Sequence, residues 1–196
     1  MIKMLDHKGT KIIETERLIL RPFRSGDAPL MFKNWAGDRE VTKFLTWNAH
    51  RSVSDSECVI NMWVAGYNEN SCYNWAIVPK EFGEPIGGIS VVRIHDNNDT
   101  AEIGYCIGKD WWGKGIMTEA FSAIIPYLFD VGFNRIQAEH AVKNPASGRV
   151  MQKCGLTYEG TLRQFFRATS GELLDISYYS ILREEFEACN KSPKVV

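Results

Sequence analysis

Two hydrophobic periods run through this chain, and one stretch passes directly from the first to the second. From Ala101 to Ile107 the apolar residues Ile103, Tyr105 and Ile107 alternate with Glu102 and Gly104, which predicts a strand. From about Ile116 to about Val131, Met117, Phe121, Ile124 and Leu128 fall along one face of a predicted helix. Between them, Asp110 to Gly115 reads as a tight turn, with Gly113 and Gly115 around Lys114. Pro126 removes one hydrogen bond from the helix, so a bend near Ser122 to Pro126 is expected.

The other elements follow from the same patterns. Residues 1–13 read as a short tail or an extra edge strand, and Arg17 to Phe23 as a strand that Pro22 closes or marks as an edge. Asp27 can N-cap a helix from about Ala28 to Ala36, ended by Gly37. Asp38 to Arg51 is irregular. Ser54 or Asp55 can cap a helix through about Ala65, with Gly66 as its stop. Cys72 to Val78 and Ile86 to Ile94 are strands, and Asp96 to Asp99 is a hairpin loop into the Glu102 strand. Arg135 to Ala141 is a strand, Pro145 to Cys154 a short helix, and Tyr158 to Arg167 pairs with Leu173 to Leu182 around Thr169-Ser170-Gly171. The polar segment after Glu187 reads as a loose tail, and no internal repeat or linker divides the 196 residues.

A glycine turn that feeds a helix leaves backbone N–H groups unpaired and pointing one way, at the positive end of the helix dipole. That is a site for a phosphate or pyrophosphate, and glycines let the anion come close to the backbone. Thr118 stands where a dinucleotide fingerprint needs its third glycine, and no G-x-x-x-x-G-K-[ST] run exists.

Composition narrows the partners. The formal net charge is −1 and 44% of residues are hydrophobic, which is the profile of an ordinary soluble globular protein without an electrostatic grip on nucleic acid. The five cysteines are scattered and lack a C-x-x-C pair, so a reduced, cytoplasmic setting is expected and a zinc site is not. His7, His50 and His95 show no metal-binding spacing. No run reads as a signal peptide or a membrane span.

The turn has the form x-x-x-G-x-G over Asp110 to Gly115, directly after a strand that carries Glu102. It resembles the acetyl-CoA pyrophosphate loop of the GNAT superfamily of N-acetyltransferases. Glu14 to Phe23, ETERLILRPF, and Asn144 to Leu156, NPASGRVMQKCGL, resemble segments of that superfamily's ribosomal-protein N-terminal acetyltransferase branch. The likeness covers roughly residues 15–183. The family's loop often opens on Gln or Arg, where this chain has Asp110.

The resemblance implies an α/β (α+β) fold: a mixed, mostly antiparallel sheet of about seven strands with flanking helices. It should splay between the Glu102 strand and the Arg135 strand, fourth and fifth in that count, with the cofactor's arm in the opening. The cofactor implied is acetyl-CoA, released as CoA, with no metal. The residues implied to bind it are Ile103, Gly104 and Tyr105 on the strand; Asp110, Trp112, Gly113, Lys114, Gly115, Ile116, Met117 and Thr118 at the turn; and Asn144 and Ser147.

Acyl transfer to an amine needs a base, a polarised carbonyl and help for the leaving thiolate. Glu102 is the candidate base, acting directly or through water, and is equally readable as a solvated or salt-bridged strand residue. Asn144 before Pro145 suits a helix cap, and in the family its equivalent contacts the pantetheine arm. Ser147 is a packing residue or a hydroxyl near the thiol, the second candidate catalytic group. Many superfamily members place a tyrosine further along this helix as the thiolate's acid; here Met151 occupies that position.

Trp111, Trp112 and His140 suit structural roles, and Lys114 is a phosphate partner or a solvated charge. Phe44, Trp47 and Tyr105 suit an acceptor pocket or the core. The acceptor implied is a primary amine, either a protein N-terminus such as that of a ribosomal protein or a small molecule such as a polyamine or aminoglycoside. A non-catalytic CoA-binding module is the alternative. No nucleic-acid or membrane partner is implied, and a homodimer is compatible with the reading.

Overall fold

A computed structural model describes residues 5–191 of the chain. In chain order, β1 is Ile13–Glu14 and β2 is Leu18–Arg21. α1 (Ala28–Met31) runs on into a wider π-helical turn at Phe32–Ala36, followed by α2 (Arg39–Thr42) and α3 (Val53–Gly66). β3 (Asn74–Pro79), β4 (Gly87–His95) and β5 (Thr100–Ile107) form a meander. α4 (Ile116–Val131) leads to β6 (Arg135–Ala141), and α5 (Pro145–Lys153) leads to β7 (Thr157–Arg167), β8 (Leu173–Leu182) and α6 (Arg183–Lys191).

The strands make one eight-stranded sheet in the order β1-β2-β3-β4-β5-β6-β8-β7. Every neighbouring pair is antiparallel except β5 and β6, which are parallel and joined through α4. A parallel pair needs such a crossover, and a helix supplies it. The strand beyond the expected number is β1, whose two residues pair with Ile19 and Leu20 of β2, so the splayed strands are fifth and sixth.

Strand alternation divides the core between two faces. Ala101, Ile103 and Ile107 of β5 and Ile136 and Ala138 of β6 pack with Met117, Phe121, Ile124 and Leu128 of α4 and with Met151 of α5. On the other face, Ala76 and Val78 of β3 pack with Met31 and Trp35 from α1 and its extension, and with Ile60 of α3. α4 continues through Pro126.

Several expected ends differ in detail. α3 is capped by Ser52, not by Ser54 or Asp55: the Ser52 hydroxyl accepts from Asp55 N–H, and the Asp55 carboxylate accepts from the Arg51 and Ser52 N–H groups. This is a capping box, in which Asp55 is the reciprocal partner. Gly66 is the last residue of α3, not a residue beyond it.

The segments read as tails are largely tied down. Asp6 N–H donates to Val131 O at 2.9 Å, Leu5 packs on the core, and the Thr10 hydroxyl donates to Cys72 O. At the other end α6 forms because Phe186 packs on Phe129, at 5.1 Å between rings, and Glu185 accepts from Leu182 N–H. Helix therefore replaces the expected loose tail over residues 188–191, while 1–4 and 192–196 lie outside the described residues.

Asp27 precedes α1, but its side chain does not cap that helix. Its carboxylate instead accepts two bonds from the Arg21 guanidinium, at 2.7 and 2.9 Å, and one from Arg24 N–H at 2.8 Å. Both residues are buried, Arg21 at 8% and Asp27 at 5% exposure. Removing one partner strands the other charge, so Asp27→Ala should cost about 3–5 kcal/mol by urea unfolding. A loss below about 1 kcal/mol would mean that Arg21 finds water or another partner.

Candidate active site

The opening is set by where β5 and β6 stop pairing. Their parallel register runs from Thr100 opposite Arg135 to Ile103 opposite Ala138 and ends there. Beyond it, β5 stays paired with β4 as far as Ile107, and β6 stays paired with β8 as far as Ala141. Each strand thus follows its outer neighbour, and the backbone edges of residues 104–107 and 139–141 no longer meet. This is the expected splay, at the expected strands.

At the C-terminal end of β5 the chain turns through Lys109–Trp111 into the glycine turn. Gly113 has φ +73° and Gly115, the N-cap of α4, has φ +75°, a left-handed region that suits glycine. Among the described residues, the backbone N–H groups from Gly113 to Met117 have no hydrogen-bond partner, and no side chain caps α4. Nothing lies within 4 Å of where a Gly113 Cβ would stand, and residues 113–115 are exposed.

The turn is braced from the other end of the chain. Glu119, in the first turn of α4, accepts from the Thr15 hydroxyl at 2.5 Å, from Arg17 N–H at 2.9 Å and from Arg17 Nε at 2.6 Å. Arg17 Nη1 also donates to Lys114 O at 3.1 Å. In a trans peptide the carbonyl and the following N–H point in opposite directions, so this bond aims Gly115 N–H away from Arg17. Trp112 adds a second tether, its Nε1 donating to Ile107 O at 2.9 Å. The Lys114 and Asp110 side chains make no such contact among the described residues. Sequence reading missed this brace because residues 15–17 and 119 share no periodicity; the only signal was ETERL preceding a strand.

Glu102 is 7% exposed and lies on the face opposite α4. Gln137 Nε2 donates to its Oε2 at 2.9 Å, with Arg93 Nη1 at 3.7 Å and His95 Nε2 at 3.8 Å. It is therefore a buried, partnered carboxylate rather than a solvated one. Glu139 of β6 shares this face and stands opposite Tyr178 of β8. Burial, followed by the neighbouring Glu139 carboxylate, raises the Tyr178 phenol above its ordinary range. A cavity of about 60 Å³ beside them is lined by Phe44, Thr46, Glu139, His140, Phe166 and Ile176. Phe44 thus borders a cavity, whereas Trp47 packs with the α1–α3 core and His50.

On the α4 face, Tyr105 of β5 reaches Ser147 of α5, its Oη 2.8 Å from Ser147 Oγ and 3.0 Å from Ser147 O. Asn144 occupies the N-cap of α5 but makes no side-chain cap bond. The expected capping role is not used, because the α5 entry is closed by backbone: Asn144 N–H donates to Ala141 O and Ser147 N–H to Asn144 O. Met151 is fully buried. His140 Nδ1 lies beside Ala141 O, and its ring packs against Tyr179 and Gly148. Among the described residues no group of His, Cys, Asp or Glu could hold a metal ion, and no helix is long and apolar enough to cross a membrane.

A mixed sheet splayed beside an open helix N-terminus is the arrangement that the resemblance to the GNAT superfamily implies. The chain belongs to the acetyltransferase (GNAT) domain family, which matches residues 17–157, and it is an acetyltransferase. It is 34% identical to an uncharacterized N-acetyltransferase, p20, of Bacillus licheniformis over 88% of this chain and 96% of that protein. It is 26% identical to the ribosomal protein uS5-alanine N-acetyltransferase of Escherichia coli over 78% of this chain and 81% of that one. Among solved structures, the microcin C7 self-immunity acetyltransferase MccE, in complex with acetyl-CoA and AMP, superposes with a TM-score of 0.78 at 26% identity, covering 86% of this chain and 93% of that one.

The brace predicts a pH signature. Burial alone would raise the Glu119 carboxyl, but the hydrogen bonds from Thr15 and Arg17 outweigh it and hold the group below its ordinary value. Its contribution to stability is then complete above the unfolded carboxylate value of about 4.3 and is lost as pH falls through the lowered folded value. Glu119→Gln should be less stable than the parent at pH 7, and the gap should close below about pH 4 in thermal melts. A gap that is the same at both pH values would mean that the charge on Glu119 contributes nothing.

Proposed function

We infer that the chain transfers an acetyl group from acetyl-CoA to a primary amine, the N-terminal α-amine of a protein such as a ribosomal protein being the favoured acceptor. The observation that carries the donor assignment is the unpaired N–H array from Gly113 to Met117 beside the parted strands. Its open left-handed glycines and lack of a side-chain cap fit a pyrophosphate. The complex of MccE with acetyl-CoA supports the same ligand.

The likeness to the uS5 enzyme supports a protein N-terminus. The MccE likeness, at the same identity, supports a small-molecule amine as the second reading. Glu139 shares the Glu102 face and lines the small cavity beside Phe44, which favours a cationic acceptor in either case.

Bound acetyl-CoA supplies the activated acyl group. The amides from Gly113 to Met117 hold the pyrophosphate, and the free edge of β5 from Gly104 to Ile107, with the Asn144 amide, orients the arm. Glu102 takes the proton from the acceptor ammonium. It does so through water, because its side chain is buried and one oxygen already accepts from Gln137. The Ser147 hydroxyl donates a hydrogen bond toward the leaving sulfur.

Thermal shift tests the donor site. Acetyl-CoA at about a hundredfold excess over its dissociation constant should stabilise the wild type by roughly 3 kcal/mol, and Gly113→Val or Gly115→Val should abolish the shift. Equal shifts in all three proteins would place the ligand elsewhere.

Release of free thiol, followed across peptides with free and blocked N-termini and across small amines, tests the acceptor. Turnover only with free peptide N-termini supports the favoured reading, and turnover only with small amines overturns it. With the best acceptor, Glu102→Gln should lower kcat by about 10²–10⁴-fold with acetyl-CoA binding retained. The defect should shrink at high pH, where the amine is already neutral. Unchanged turnover across the pH range removes Glu102 from the mechanism.

A further inference from the structure

The Tyr105–Ser147 contact bridges the opening. Tyr105 lies on β5 past Ile103, the last residue paired with β6, and Ser147 lies in the first turn of α5. We propose that Tyr105 is a positioning residue that turns the Ser147 hydroxyl toward the sulfur of a bound CoA. The proposal rests on the acetyl-CoA reading above.

The hydrogen count carries the inference. Tyr105 and Ser147 each have one hydroxyl proton. In a helix the Ser147 carbonyl is also served by the N–H four residues on. In one arrangement Tyr105 donates to Ser147 O at 3.0 Å and Ser147 Oγ donates to Tyr105 Oη at 2.8 Å. Both protons are then used inside the chain. In the other, Tyr105 donates to Ser147 Oγ, and the Ser147 proton is free to point at an external acceptor.

An anionic sulfur in the opening selects the second arrangement, because a charged acceptor makes the stronger bond. The ring is held for this by packing against Phe121, at 5.7 Å between centroids.

Tyr105 does not act as the acid. Burial pushes its phenol well above the ordinary value, and the Ser147 hydrogen bond offsets only part of that. No proton changes hands: the sulfur leaves as a thiolate, tolerable because a free thiol has a pKa of about 8.5, and is later protonated by water. Met151, further along α5 and buried, has no hydroxyl to offer.

The test compares CoA with desulfo-CoA, which lacks the sulfur, by calorimetry between about pH 7 and pH 9.5. Wild type should prefer CoA increasingly as pH rises, by about tenfold at the upper end, a size typical of one hydrogen bond to a charged group. Tyr105→Phe and Ser147→Ala should each lose most of that preference, and the double variant should be no worse than Ser147→Ala. With the best acceptor, Tyr105→Phe should lower kcat by about five- to tenfold and leave the KM for acetyl-CoA nearly unchanged.

A fluorotyrosine in place of Tyr105 keeps the ring, strengthens the donor and should raise the preference, which provides a check even if Tyr105→Phe folds poorly. An unchanged preference in Tyr105→Phe, or losses that add in the double variant, overturns the proposal, since additivity would make Tyr105 a separate support of α5. Wild type that binds both ligands without a pH-dependent preference overturns this proposal alone. Failure to bind either ligand overturns the acetyl-CoA reading and this proposal with it.

Discussion

Everything at the candidate site depends on the parting of β5 from β6 after Ile103 and Ala138. A parallel pair in mid-sheet would normally hydrogen-bond along its length, and unpaired backbone groups are costly to bury. The cost is contained here because each strand keeps its outer partner, β4 on one side and β8 on the other. Only the inner edges over the last few residues are left open. They open at the C-terminal ends of the strands, where the chain leaves β5 for the turn before α4 and leaves β6 for α5. The wedge, the open helix N-terminus and the first turn of α5 are therefore consequences of one break in register.

The open amides need a support that does not itself cover them. A capping side chain at α4 would satisfy an N–H group and occupy the anion's place. The chain supports the turn from behind instead, through Arg17 and Glu119, which hold the Lys114 carbonyl and leave the N–H side free. Arg17 is half exposed and Glu119 mostly buried, so the pair is anchored by the helix and closed by the turn that leads into β2. That couples β2, far along the sheet from β5, to the geometry of the turn.

Much of this was legible in the sequence, and the limits are physical. The α4 boundaries follow directly from periodicity and from Gly115 and Gly132 at its two ends, because long amphipathic segments carry a strong signal. The turn was legible because Gly113 and Gly115 mark a backbone that other residues resist. Asp27 was readable as a helix cap, yet a buried guanidinium six residues earlier was the better partner, and no local rule anticipates that competition. Ser54 and Asp55 were plausible caps, but the reciprocal box chose Ser52. The helix over residues 183–191 was missed because its one large apolar anchor, Phe186, shows no period of its own. Above all, the bond between Tyr105 and Ser147 joins residues 42 apart, and only the fold brings them together.

Strand parity gives the site its division of labour. Glu102 and Tyr105 are three positions apart on β5, so they project from opposite faces of the sheet. Glu102 lies on the face opposite α4 with Gln137 and Glu139. Tyr105 lies under α5 with Ser147, where a leaving sulfur would be met by a hydroxyl. A ligand arm threaded between β5 and β6 would have one face of its reacting group toward each. With the roles proposed for Glu102 and Ser147, proton removal and charge stabilisation on sulfur would act from opposite sides, without competing for the same hydrogen bonds. Moving either residue by one position along β5 would bring both functions to one face and leave the other side of the opening without chemistry.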